Sequence, residues 1–130
     1  MNEKAFTLAE LLGVLVILSI ISLIAITSVD RSIKQSRNNT CKTQEKNIIE
    51  GAKTYFIDYP NELPTATSSS KKIYIINDLE DGGYIEDNLI NPMTDEEYNS
   101  GSYVEVQLVK AGTNQYKYTL KYENEKGCTE

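Results

Sequence analysis

The sequence predicts an α+β protein in which one long N-terminal helix packs against a small antiparallel β-sheet. Three observations support this fold class. Residues 11–29 form an uninterrupted run without charge, and small or apolar residues then recur at helical spacing as far as Pro60. Residues 103–110 and 115–123 instead alternate apolar and polar side chains. The first two patterns are typical of a helix and the third of two strands.

The run 11–29 is long enough to cross a membrane as one helix. At a rise of about 1.5 Å per residue it reaches about 28 Å, close to the hydrocarbon thickness of a bilayer. An ordinary secretory leader has a small-residue cut site after its apolar core. Here the small residue, Ala5, precedes the core. The layout therefore predicts a membrane-spanning helix with a processing site in front of it.

The residues at this site carry a resemblance. Residues 4–12, KAFTLAELL, leading into the apolar run, resemble the N-terminal signature of type IV prepilins and pseudopilins. The resemblance implies a type IV pilin-like fold and a prepilin peptidase that removes leader residues 1–5. The cut falls between Ala5 and Phe6, and the same enzyme N-methylates Phe6. Ala5 stands where the family usually has Gly, and Thr27 where many pilins have Pro.

Glu10 is the candidate assembly residue. A carboxylate at the edge of a hydrocarbon span costs roughly 2.5–3.5 kcal/mol on insertion scales, which makes it a functional candidate. The resemblance implies a cationic partner, the free amine of Phe6 on a neighbouring subunit, paired as the helix leaves the bilayer for a filament core. The alternative is a Glu10 side chain that lies in the headgroup region without a partner.

The resemblance also implies a function and partners. The chain would be a structural subunit, a major pilin or pseudopilin, of a filament used in adhesion, motility, secretion or DNA uptake. Its partners would be further copies of itself, minor pilins, the prepilin peptidase, and an assembly platform protein with its ATPase. Before assembly it would be a single-pass protein of the bacterial membrane, and after assembly it would be part of a filament at the cell surface. The alternative left open is a single-pass, membrane-anchored binding domain that does not polymerise.

Charge is distributed unevenly along the chain. The net charge is −1 over residues 1–29, +2 over the stem at 30–59 and −7 over the head at 60–130. An acidic head argues against general binding of nucleic acid through phosphate contacts. The basic residues Arg31, Lys34 and Arg37 outnumber Lys4 in front of the span. The positive-inside rule would therefore place the head in the cytoplasm, whereas the resemblance, which we follow, implies the reverse.

The stem is expected to continue the helix and to pack under the head from Ile48 onward. Its apolar face comprises Val29, Ile33, Thr40, Cys41, Ile48, Ala52, Tyr55, Phe56 and Tyr59. Pro60 ends the helix, because the residue before a proline is pushed out of α geometry. In the head, residues 72–77 are expected to form a strand or buried segment. Asn77 is then expected to cap a short helix that closes at Gly82 or Gly83.

The clearest feature of the head is a hairpin over residues 103–110 and 115–123. Its turn, AGTN, contains a glycine. Tyrosines alternate with lysines along the second strand. We expect the tyrosine face to lie on the helix at Ile48, Ala52 and Tyr55, and the lysine face to meet solvent. Tyr98 or Tyr103 is expected to present an adhesive patch at the surface.

Cys41 and Cys128 are the two cysteines of the chain. Outside the cytosol they could form one disulfide that links the C-terminal tail covalently to the helix. The alternatives are two unpaired thiols or cross-links between subunits. We favour the internal bridge, although sequence alone does not show that the two Cα atoms come within the ~7 Å that it requires.

Cofactors and catalysis have little support in the sequence. Asp95, Glu96 and Glu97 form an acidic loop that offers oxygen ligands to Ca²⁺, but adjacent carboxylates are more often a solvated turn. The chain has no histidine, which excludes a Ser-His-Asp triad and a histidine metal site. The two cysteines lie too far apart for a CxxC motif. We therefore expect no cofactor and no enzymatic activity.

Overall fold

The apolar run and the stem form one continuous helix. In the computed structural model, which describes residues 7–129, helix α1 spans Leu8–Asp58. The Tyr59 N–H still donates to the Tyr55 carbonyl at 3.0 Å. The chain then turns through a short 3₁₀ helix, Pro60–Glu62. The predicted end of the helix at Pro60 is confirmed.

The chain divides into two compact units, Met1–Ser36 and Arg37–Glu130. The second unit contains the C-terminal part of α1 and a three-stranded antiparallel sheet of order β1-β4-β5, with β2 and β3 pairing separately. The strands are β1 Ser70–Tyr74, β2 Ile90–Asn91, β3 Glu96–Glu97, β4 Tyr103–Leu108 and β5 Tyr116–Lys121. The predicted α+β fold class is therefore confirmed.

In the first unit, α1 is long and apolar enough to cross a membrane. Its large apolar side chains between residues 11 and 29 are each more than half exposed. The hydroxyls of Ser19, Ser22 and Thr27 donate to backbone carbonyls of the preceding turn at 2.7–2.9 Å. These three groups therefore bring no unsatisfied donor into an apolar environment.

One face of α1 forms the floor of the head core. Ile48, Ala52 and Phe56 recur at intervals of four, the spacing of one helical face, and are 0–5% exposed. They pack with buried residues of the sheet and loops, namely Ile73, Ile75, Leu79, Tyr98, Val104, Val106 and Leu120. The prediction that the stem packs under the head from Ile48 is confirmed, but Thr40 and Tyr59, placed on the same face, are exposed.

The hairpin is confirmed, with strands shorter than predicted. Strand β4 pairs with β5 in a register that sets Val104 opposite Leu120. The Val109 N–H donates to the Gln115 carbonyl at 2.9 Å, and Gly112 takes a φ of +77° in the turn. That left-handed conformation is one that glycine adopts without strain. The strands stop where the turn begins, which leaves Val109 58% exposed.

The segment predicted as a strand over residues 72–77 is divided between two elements. Strand β1 ends at Tyr74, and a short π-helix, Ile75–Glu80, follows at once. The prediction that Asn77 caps this helix is wrong, because Asn77 lies inside it. The side chain of Asp78 instead accepts a hydrogen bond from the Tyr74 N–H at 2.8 Å. Burial of Ile75 and Leu79, four residues apart, favours helical geometry here.

Tyr98 is not an exposed adhesive residue. Its side chain is 2% exposed and its ring stacks on that of Tyr122, with centroids 6.4 Å apart. Its hydroxyl donates to Gln44 Oε1 on α1 at 3.1 Å. Tyr103 is half-buried, and the Lys72 ammonium lies 4.8 Å from the centre of its ring. The hydrogen bond of the Tyr98 hydroxyl to Gln44 and the stacking of its ring on Tyr122 explain how Tyr98, in a polar stretch, becomes part of the packing.

Gly51 allows the loop at residues 84–85 to approach the helix. A Cβ at this position would lie 2.6 Å from Ile85 Cγ2 and 3.0 Å from the Tyr84 carbonyl oxygen.

We expect Gly51→Ala to lower the free energy of unfolding by about 1 kcal/mol. Overpacking against the loop should cost about 1–3 kcal/mol, which exceeds the gain of roughly 1 kcal/mol that alanine brings in helix propensity. Denaturant unfolding of the full chain in detergent micelles measures the change. Lys46→Ala, at an exposed site on the same helix, is the control, and equal stability of the two variants would contradict the expectation.

Candidate functional site

Glu10 lies in the first turn of α1 and closes a reciprocal cap with Thr7. The Thr7 N–H donates to Glu10 Oε2 at 3.1 Å, and the Glu10 N–H donates to Thr7 Oγ1 at 3.2 Å. This is a capping box, in which two N–H groups at a helix start that lack partners inside the helix are satisfied by two side chains. The Thr-x-x-Glu spacing is a known sequence pattern for such a start, and the sequence analysis did not use it.

The capping box fixes the direction of the Glu10 carboxylate. One carboxylate oxygen, Oε2, binds the Thr7 N–H, which leaves the lone pairs of Oε1 available to a donor from another chain. Within residues 7–129 no Lys or Arg forms an ion pair with Glu10. The predicted processing residues Ala5 and Phe6 lie outside the described residues. Cleavage between them, N-methylation of Phe6 and its pairing with Glu10 therefore stay predictions.

Cys41 and Cys128 are joined by a disulfide that ties the C-terminal tail to α1. The two Cα atoms are 5.6 Å apart, and 87 positions separate the cysteines in sequence. Cys41 is fully buried on the helix. The internal bridge is therefore present in the structure, and neither cysteine is free. The same tail donates from the Thr129 N–H to Asn38 Oδ1 at 2.8 Å, which adds a second point of attachment.

Tyr122 fills the space beside this disulfide. Its hydroxyl donates to Glu45 Oε2 on α1 at 3.0 Å and lies 3.4 Å from the Cys128 sulfur. Burial, reinforced by the Glu45 carboxylate, raises the pKa of Tyr122. Gly127 is packed onto the Tyr122 ring so closely that a Cβ there would collide with it. The tail is therefore held by packing as well as by the covalent bond.

A further attachment of the tail centres on Glu125, which the sequence did not indicate. Its carboxylate accepts from the Asn91 amide at 2.7 Å, from the Asn99 N–H at 2.6 Å and from the Ser102 hydroxyl. Asn91 and Ser102 are both fully buried. The Asn91 amide also donates to the Lys126 carbonyl at 2.9 Å. No local sequence pattern marks a carboxylate whose donors lie 23–34 positions away.

Removing the Glu125 carboxylate should destabilise the head. We expect Glu125→Ala to lower the free energy of unfolding by about 2–3 kcal/mol, because the buried Ser102 hydroxyl and one of the two Asn91 amide hydrogens lose their acceptor. Glu123→Ala removes the same side chain from an exposed site two positions away and should change stability by less than about 0.5 kcal/mol. Denaturant unfolding followed by the near-UV circular dichroism of the tyrosines compares them. Equal stability of the two variants would show that the hydrogen bonds of Glu125 do not stabilise the head.

The acidic loop proposed for Ca²⁺ does not form a cluster. Asp95 forms an exposed ion pair with Arg37 on α1, with 2.9 Å between Nη1 and Oδ2. Glu96 and Glu97 are consecutive residues of strand β3, so their side chains point to opposite faces. Within residues 7–129 no three His, Cys, Asp or Glu side chains are grouped so as to hold a metal ion. The structure therefore does not bring the three predicted ligands together.

Comparison with known proteins agrees with the N-terminal geometry. Residues 1–26 match the family described as "Prokaryotic N-terminal methylation motif". The chain is 31% identical over 93 residues to the competence protein ComGC of Bacillus subtilis, an alignment that covers 71% of this chain and 84% of the relative. It is 30% identical over 92 residues to the ComG operon protein 3 homolog of Bacillus licheniformis, with the same two coverages. No solved structure matches the chain.

These relatives extend the likeness from the N-terminal motif into the head. The match to the methylation motif covers the Thr7 to Glu10 segment and the first part of the apolar helix. The alignments with these two relatives span most of their length and of this chain. Both comparisons point to a structural, pilin-type protein. From its methylation motif, its long apolar helix and its similarity to ComGC, the chain belongs to the type IV prepilin and pseudopilin family.

Proposed function

We propose that this protein is the polymerising subunit of a pseudopilus-like filament in a competence system. The observation that carries the proposal is the first unit, an apolar helix with exposed side chains and a single carboxylate, Glu10, in its first turn. Such a surface is stable in a lipid bilayer or in a bundle with other copies. A bundle of equivalent helices also offers Glu10 a cationic partner, which an isolated anchor does not.

The proposed organisation follows the chain. Residues 1–5 are the leader that prepilin peptidase removes, 6–29 the span that becomes the filament core, 30–59 the stem and 60–130 the head. An assembly platform protein and an ATPase extract the subunit and add it to other copies and to minor pilins. Hydrophobic burial holds the bundle together, and the pairing of Glu10 with the Phe6 amine sets the register of each added subunit.

The head is proposed to lie outside the cytosol. The Cys41–Cys128 disulfide supports this orientation, because such bonds persist in oxidising compartments and are rare in the cytosol. It outweighs the positive-inside count of Arg31, Lys34 and Arg37, which favours the opposite orientation. Among pilus, secretion and DNA-uptake systems, the relative that is named a competence protein favours DNA uptake. The acidic head does not suit general nucleic-acid binding, so its proposed contribution is structural.

Intact-mass and N-terminal peptide mass spectrometry of the native protein test this function. We expect a chain that begins at N-methylated Phe6, present both in membranes and in the fraction sheared from the cell surface. A chain that keeps residues 1–5 and is confined to membranes would overturn the proposal and favour the membrane-anchored domain that does not polymerise. If deletion of the gene abolishes transformation and complementation restores it, the filament is assigned to the competence system.

A further inference from the structure

A cleft at the C-terminal end of α1 combines aromatic rings with carboxylates. Its volume is about 360 Å³, and it opens between the last turn of α1 and the turn that follows the π-helix. Its lining comprises Tyr55, Tyr59, Asn77, Asp78, Asp81, Gly82 and Tyr84. None of these residues belongs to the assembly segment at Glu10 or to the attachments of the C-terminal tail, so the cleft is separate from the proposed function.

The tyrosine rings form a fixed corner. The rings of Tyr55 and Tyr84 meet at 71° with centroids 5.4 Å apart, while Tyr59 packs on Tyr55 at 4.8 Å and 34°. The Tyr84 hydroxyl donates to Asp58 Oδ2 at 2.6 Å, and the Tyr55 hydroxyl donates to Glu62 Oε2 at 2.5 Å. Both ring orientations are therefore set before any ligand arrives.

Gly82 contributes to this corner. A Cβ at Gly82 would lie 2.8 Å from the Tyr84 ring and 2.6 Å from the Asp78 carbonyl oxygen. Only glycine therefore lets the ring lie directly against the turn. The result is an aromatic wall on a rigid backbone, to which Tyr59, 49% exposed, contributes a third ring.

The cleft lining includes the carboxylates of Asp78 and Asp81, and Asp58 lies beside it. The neighbouring Glu62 carboxylate forms an ion pair with Lys71 at 3.7 Å. Within residues 7–129 no Lys or Arg lies within 4.0 Å of the carboxylates of Asp58, Asp78 or Asp81. The last turn of α1 contains no basic residue, although the carbonyls at a helix C-terminus favour a nearby cation. The hydrogen bond to the Asp58 carboxylate, with further effects of burial and charge, raises the pKa of Tyr84 to about 12.

The geometry points to this cleft as a binding site for an alkylammonium group. Ring faces attract organic cations through their quadrupole, and carboxylates at the rim add charge complementarity. A metal ion fits less well, because the carboxylates among residues 7–129 are not grouped closely enough to coordinate one. An alkylammonium group occurs in two sources, a lysine side chain of another polypeptide and a small methylated amine. The exposed Lys117 and Lys121 of a second copy are examples of the first.

Nuclear magnetic resonance of the full chain in nonionic detergent micelles, with ¹³C-labelled tyrosine rings, tests the site. The probes are choline, its uncharged carbon isostere 3,3-dimethylbutan-1-ol, and n-butylammonium as a mimic of the lysine side chain. We expect saturable shifts of the Tyr55, Tyr59 and Tyr84 resonances with the charged probes and none with the isostere. Tighter binding of butylammonium would indicate a lysine source, and tighter binding of choline a methylated amine.

Two variants separate the cleft from a general charge effect. Tyr59→Leu removes an exposed ring but keeps apolar bulk, and Asp81→Asn removes one exposed carboxylate. Each should weaken binding of the preferred charged probe about two- to fivefold. Asp87→Asn, an equal change of charge at an exposed site outside the cleft lining, should leave binding unchanged. Equal responses to choline and its isostere, or equal weakening by Asp81→Asn and Asp87→Asn, would overturn the assignment.

Discussion

Glu10→Ala should remove the filament from the sheared surface fraction while leaving membrane insertion intact or improved. Insertion benefits because a carboxylate that costs roughly 2.5–3.5 kcal/mol on insertion scales is gone. Assembly should suffer because, in the proposed pairing, the Phe6 amine of a neighbouring subunit would lose its acceptor. A charge-assisted hydrogen bond contributes about 1.5–3 kcal/mol, so each subunit addition should lose about 10- to 150-fold in its equilibrium constant. Immunoblots of membrane and sheared fractions, with electron microscopy, measure both quantities.

The capping box supplies the matched control for this experiment. Alanine removes both the charge of Glu10 and its hydrogen bond to the Thr7 N–H. Glu10→Gln retains an acceptor for that N–H, since glutamine also completes a capping box, but it removes the charge. We expect Gln to be nearly as defective as Ala, and Glu10→Val, which adds apolar bulk, to be equally defective. Normal filaments from Glu10→Gln would show that Glu10 acts as a helix cap and not as an ion-pair partner.

The double variant Cys41→Ser/Cys128→Ser should lose about 4–5 kcal/mol of stability in the chain-entropy model, because the bond closes a long loop. A small domain has a total stability of only about 5–15 kcal/mol. We therefore expect a lower unfolding midpoint, less accumulation of the subunit and faster proteolysis of its C-terminal tail. Denaturant unfolding of the full chain in micelles, with and without reductant, gives the difference directly.

Reduction of the unmodified protein provides the comparison for that variant. Reduced protein and the double variant should unfold at similar denaturant concentrations, both well below the oxidised protein. The tail retains its noncovalent attachments through Glu125 and Tyr122 in either case. If oxidised and reduced protein unfold at the same concentration, those attachments alone hold the tail and the disulfide adds no stability.

Elements with a strong local pattern could be predicted from the sequence. The alternation in residues 103–110 and 115–123 predicted β4 and β5, since a period of two leaves one face apolar. Pro60 marked the end of α1, because its effect on the preceding residue is local. Ile48, Ala52 and Phe56 were expected to lie under the head, and they are buried. In these cases the information lies within a few residues of the element.

Features that depend on distant partners could not be predicted in this way. The π-helix Ile75–Glu80 forms because two of its side chains enter a core built by other elements. Tyr98 lies in a polar stretch, and its burial depends on Gln44 of α1 and on the Tyr122 ring. The role of Glu125 could not be predicted either, since its donors, Asn91, Asn99 and Ser102, lie 23–34 positions earlier in the chain. The pairing of Cys41 with Cys128 could be favoured, but their proximity required the fold.

The candidate assembly site could be predicted from the sequence only in part. The motif around Ala5, Phe6 and Glu10 is local and was found from sequence, and the family comparison matches the same residues. The Thr7 partner of Glu10 is equally local and could have been found from the Thr-x-x-Glu spacing. The expected ion pair is between subunits, so neither the sequence nor the structure of a single chain contains it.

The Cys41–Cys128 bond also determines how the head responds to mechanical load. A pull between α1 and the hairpin turn at Gly112 is shared by two arms of a closed covalent ring. Even with all noncovalent contacts broken, the shorter arm, residues 113–127, becomes taut at roughly 55 Å, whereas the longer arm, residues 42–111, would otherwise extend to roughly 240 Å. The bridge therefore limits the extension of the head between these two points to about a quarter of what the unbridged chain would allow.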